Sequence, residues 1–115
     1  MPSLIEVQTT VDNVESAQAI ATALVGEHLA ACAHVTGPVS STWRWEGGLE
    51  TSTEWLVVAK TRASLLRDVT DAISELHSYE VPEILALPIV GGHEAYMQWV
   101  EDSTHERGWT PSGDI

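Results

Sequence analysis

The sequence predicts an α+β domain, an antiparallel sheet with helices packed against it. Three observations point there. Stretches of near-alternating apolar and polar residues trade places with stretches of helical periodicity, in the order β-α-β-β-α-β. The run Glu46-Gly47-Gly48-Leu49 joins two of the strand-like stretches directly, as a hairpin turn does. At 115 residues and 43% hydrophobic, the chain is long enough for one core and too short for two.

Residues 4–10 mix branched and polar side chains in near alternation, which suits a half-buried strand. Asp12 followed by Glu15 resembles a capping box, and behind it Ala17, Ile20, Ala21 and Leu24 recur at helical spacing. A helix is therefore expected over residues 13–27, weakened near its end by Gly26. Residues 31–46 return to strand, with Gly37-Pro38 predicting a bulge or kink because proline removes a ladder donor. Trp43 and Trp45 lie two apart and share one face, and the return strand runs through Trp55 to Ala59. Hairpin arms of this length carrying two tryptophans seldom stand alone in water, so a second chain is expected over them.

Leu65, Leu66, Val69, Ile73 and Leu76 form the apolar stripe of a second helix over residues 63–76. A strand over residues 83–89 follows, and Gly91-Gly92 breaks the chain before a short amphipathic helix carrying Tyr96, Trp99 and Val100. Taken together the elements give a ferredoxin-like β-α-β-β-α-β sandwich with a long β-hairpin and an extra C-terminal helix. Residues 1–104 form the single domain. Residues 105–115 read as a polar tail, loose or lying on a neighbour.

Seventeen acidic against five basic residues leave a formal charge of -12 at pH 7. Such a field repels phosphate backbones and anionic lipid surfaces, so neither nucleic acid nor membrane is an expected partner. Cations are the natural guests, although excess surface carboxylate that serves solubility alone is the preferred reading. The single cysteine, Cys32, forms no intrachain disulfide, and the start of the chain shows no basic region before a long apolar one. Both features suit a soluble, cytoplasmic protein.

The residues that carry chemistry gather in a few places. The run His77-Ser78-Tyr79-Glu80-Val81-Pro82-Glu83 holds an imidazole, a phenol and two carboxylates directly after a helix. In a strand Cys32 and His34 point to one face, where a thiolate and an imidazole suit copper or zinc. With His77 they form a candidate ligand set, which Glu80, Glu83 and His28 extend. The simpler alternatives are Cys32, in an Ala-Ala-Cys-Ala context, as a small buried hydrophobe, and His77 as a ring bonded to a nearby carbonyl or carboxylate. Lys60 and Arg62, two of the few cations, either hold a small anion beside Tyr79 and Glu83 or form ion pairs, the latter being the preferred reading. No nucleophile elbow and no phosphate-cradling glycine loop is present. No catalytic residue and no organic cofactor is expected.

Leu29-Ala30-Ala31-Cys32, Trp43-Arg44-Trp45-Glu46-Gly47, Lys60-Thr61-Arg62, the run from His77 to Glu83, Leu87-Pro88-Ile89, and Gly92 followed by Tyr96 and Trp99 together resemble the CutA family of divalent-cation tolerance proteins. The resemblance extends from Val7 to Val100. It implies a ferredoxin-like protomer in a tight homotrimer, a link to tolerance of copper and other divalent metals, and no catalysis. Cys32 and His77 stand at positions that resemble family ligands, and Lys60, Tyr79, Glu80, Glu83 and Trp45 join them as cleft residues. Ser78, His34, His93 and Gly48 depart from the family pattern. So does Leu76, which stands where copper-binding bacterial members carry a histidine, so copper binding is expected to be weak. The alternative is a trimeric small-molecule sensor resembling the PII proteins, although Glu46-Gly47-Gly48 lacks the basic phosphate loop such a sensor needs. Three expectations follow for the structure. Trp45 becomes buried on assembly, the His77 to Glu83 segment lies at a subunit boundary, and Lys60 pairs with Glu80 or Glu83 of the same chain or the next.

Overall fold

The computed structural model describes residues 3–111. Four strands and three helices follow one another as β1 (Leu4–Val11), α1 (Val14–Gly26), β2 (Cys32–Trp45), β3 (Gly48–Arg62), α2 (Leu66–Leu76), β4 (Ile84–Pro88) and α3 (Glu94–Asp102), with a 3-10 turn, Ala63–Leu65, leading into α2. The sheet order is β2-β3-β1-β4 and every pairing is antiparallel. The expected α+β class and element order are thus observed.

Alternation along β1 sets the layers. Ile5, Val7 and Val11 point to one face, where they meet Ala17, Ile20 and Leu24 of α1, Val69, Ala72 and Ile73 of α2, and Val57 and Ala59 of β3. Leu4 is out of phase with that set and lies instead with Ala31 and Val100, backed by Ile89 and Met97. Helix α3 therefore covers the opposite face at the Leu4 end only. Farther along that face Leu85 and Leu87 of β4 stay exposed.

Helix α1 begins one residue later than the capping box predicts. The N-cap is Asn13 rather than Asp12: it is extended at φ −152° and ψ 154°, and its Oδ1 accepts the Ser16 amide at 2.8 Å. Glu15 then falls at the second helical position, where the reciprocal bond of a capping box cannot form. Past Gly26 the chain turns at His28, which has a φ of 63°. This left-handed turn is closed by the Leu29 amide on the Leu24 carbonyl at 2.9 Å.

The hairpin is long, as expected. Trp45 pairs with Gly48 across a two-residue turn in which Glu46 and Gly47 have φ of 48° and 81°, the two positive values that match the twist of the flanking strands. The register slips by one residue between Thr36 and Val39, so Gly37-Pro38 is the expected bulge, and its peptide is cis. A Cβ at Gly37 would run into the Trp55 ring. From the bulge outward the hairpin leaves the core. The chain measures 54 × 30 × 21 Å with a radius of gyration of 15.2 Å, against about 13 Å for a compact domain of this length.

The tail differs from its expectation over residues 105–111, which lie on their own chain. The His105 amide donates to the His28 carbonyl at 2.7 Å, and the His105 and Trp109 rings stack at 3.7 Å beside His28. The Arg107 amide bonds Asp68, while its guanidinium makes a two-pronged contact with Glu75 at 2.8 and 2.6 Å. The Arg62 guanidinium donates to both the hydroxyl and the carbonyl of Thr104 and so anchors the start of the tail. Residues 112–115 of the expected tail lie outside the described residues.

Candidate functional site

The residues singled out in the sequence fall into two places. The first is on the α3 face. Cys32, Lys60 and Glu6 lie side by side on neighbouring strands, since Lys60 pairs in register with both of the others. Lys60 Nζ is 3.9 Å from Glu6, and neither carboxylate predicted for it, Glu80 or Glu83, contacts it within the chain. The physical reason is register: Glu6 is its direct cross-strand neighbour, whereas Glu80 and Glu83 belong to the loop at the other end of β1. Cys32 Sγ shares a 3.4 Å hydrogen bond with Tyr96 Oη, which, with partial burial, holds the Tyr96 proton more tightly than usual. Beside this group a cavity of about 190 Å³ opens between Leu4, Glu6, Lys60, Tyr96 and Gly91-Gly92.

The second place is the far end of the sheet. His77 leaves α2 extended, at φ −82° and ψ 138°, and its ring reaches back to β1. Its Nε2 lies 2.7 Å from the Thr10 carbonyl, and its Nδ1 accepts the Tyr79 amide at 3.1 Å. A carbonyl requires a donor, so the ring is the Nε2–H tautomer with both nitrogens engaged. His77 thus does the structural work that the sequence allowed, pinning the loop between α2 and β4 to the sheet. Tyr79, thereby positioned, donates its hydroxyl to Glu54 at 2.7 Å. Desolvation first, and the Glu54 carboxylate second, raise the Tyr79 phenol far above its ordinary value. Around this pair runs a groove of about 980 Å³ bounded by Trp43, Trp45, Glu50 and Glu54 on the hairpin and by residues 79–83 on the loop.

Cys32 and His77 are therefore not neighbours within one chain. Cys32 is level with Glu6 and His77 with Thr10, so four residues of β1, roughly 13 Å, separate them along the strand. His34 is on the Cys32 face but exposed, and His28 lies in the tail contact. Among the described residues no group of three or more histidine, cysteine, aspartate or glutamate side chains could hold a metal ion. The donors of a single chain do not fit a copper centre.

Glu54 and Tyr96 escaped the sequence reading. Glu54 alternates in phase with the half-buried Leu56 and Val58, on the sheet face away from α1 and α2, and a carboxylate in phase with two branched apolar residues is the signal that marks it. Tyr96 was assigned only to a helix face, and nothing in its local sequence indicates a contact 64 residues away.

A four-stranded antiparallel sheet with a projecting arm, helices on both faces and an acidic, aromatic-lined groove defines a small α+β protein of ferredoxin-like element order. The chain belongs to the CutA1 divalent ion tolerance family, which it matches over residues 5–103. It is 40% identical to the chloroplastic CutA protein of Arabidopsis thaliana over 90% of its own length and 57% of that protein's, so the chain spans little more than half of this plant relative. It is 39% identical to the divalent-cation tolerance protein CutA of Thermus thermophilus, over 83% of this chain and 92% of the relative. Among solved structures, CutA1 from Oryza sativa superposes with a TM-score of 0.88 at 40% identity, covering 91% of this chain and 96% of that one. The Thermus thermophilus protein gives 0.87 at 37% identity, covering 89% and 99%.

Proposed function

We propose that this chain is a ferredoxin-like protomer of a homotrimer that serves divalent-cation tolerance, binding copper or another divalent ion weakly and without catalysis. Membership in the family over residues 5–103 is the observation that carries the reading. The shape of the molecule supports the assembly: Trp45 is 59% exposed at the end of an arm that its own chain leaves uncovered, and closure by three-fold symmetry removes exposed strand edges. Assembly also offers the only route by which Cys32 of one subunit and His77 of another approach each other. The PII-like alternative draws no support from the relatives named above, which carry CutA names. We further place the protein in the cytoplasm, on its single cysteine, although relatives are named chloroplastic and periplasmic.

Native mass spectrometry tests the reading, since it reports subunit number and bound metal together. A trimer that takes up Cu²⁺ reversibly, with affinity reduced in Cys32→Ser, supports it. A monomer at micromolar concentration overturns the assembly, and equal affinity in Cys32→Ser removes the thiol from the metal site.

A further inference from the structure

We draw no further inference here: the strongest candidate, the cavity of about 190 Å³ on the α3 face beside Lys60, Tyr96 and Gly91-Gly92, belongs to the Cys32–Lys60 site already described, and nothing in the structure shows what covers it.

Discussion

The base of the molecule and its arm are built from the same two strands, β2 and β3, but under opposite conditions. In the base, Val57 and Ala59 are fully covered by α1 and α2. Beyond the Gly37-Pro38 bulge no side chain of residues 39–53 is buried, and Glu54, the one that is, carries a charge. The lower half of the hairpin is held by apolar burial within its own chain. The upper half is held by ladder hydrogen bonds and a favourable turn, which leave an isolated hairpin marginal in water. Stability and surface function have thus been divided along a single pair of strands.

The contrast can be tested most severely at its extremes. Ile20→Ala, in the base, is expected to cost about 2–5 kcal/mol of unfolding free energy in urea, because it leaves a cavity under the sheet. Trp45→Ala, on the arm, is expected to leave the unfolding of the dissociated chain within about 0.5 kcal/mol of wild type while shifting its oligomeric mass downward. If Trp45→Ala destabilised the isolated chain as much as Ile20→Ala, the division would be wrong. Gly37→Ala tests the boundary between the two halves. The added methyl meets the Trp55 ring, and a loss of about 1–3 kcal/mol is expected from overpacking; no change in the denaturation midpoint would show that the ring moves aside freely.

Smaller effects separate two threonines buried in the base. Thr61 Oγ1 donates to the Leu29 carbonyl at 2.6 Å, whereas Thr9 Oγ1 is buried with no partner among the described residues. Thr61→Val is expected to lose about 1 kcal/mol and Thr9→Val to gain a similar amount, since only the second removes an unsatisfied group. Equal losses in both would mean that a water satisfies Thr9. At the groove, the raised Tyr79 phenol makes a pH prediction. Its contribution to stability is fully present below the ordinary tyrosine value of 10.0 and is lost as pH rises from there toward the folded value. Tyr79→Phe should therefore flatten the alkaline fall in melting temperature; an unchanged slope above about pH 10 would show that another group sets it.

The base was also the more legible half. Ala17, Ile20 and Leu24, and Val69 and Ile73, declared their helices because burial of one face imposes a period on the sequence. The hairpin declared itself through Gly47-Gly48 and its bulge through Gly37-Pro38, because both are backbone requirements written into residue type. The site was harder to read. Cys32 and His77 were chosen by chemistry, and chemistry does not reveal that one is level with Glu6 and the other with Thr10. Lys60 was assigned on charge to Glu80 or Glu83 of its own chain or the next, and within the chain strand register gives it Glu6. Likewise, the polar tail was expected to be loose or to lie on a neighbour, and its one arginine, Arg107, finds Glu75 and Asp68 on α2.

That last contact has a kinetic meaning. The His105 amide is bonded to His28 in the turn that closes α1 and the Arg107 amide to α2, although neither amide lies in a helix or a strand. Amides in irregular segments ordinarily exchange with solvent deuterium quickly, so protection at these two would report a docked tail and nothing else. Because one strap touches both helices, its release frees them together. Their outer turns should then exchange as a cooperative unit, at a rate set by the tail and well ahead of global unfolding.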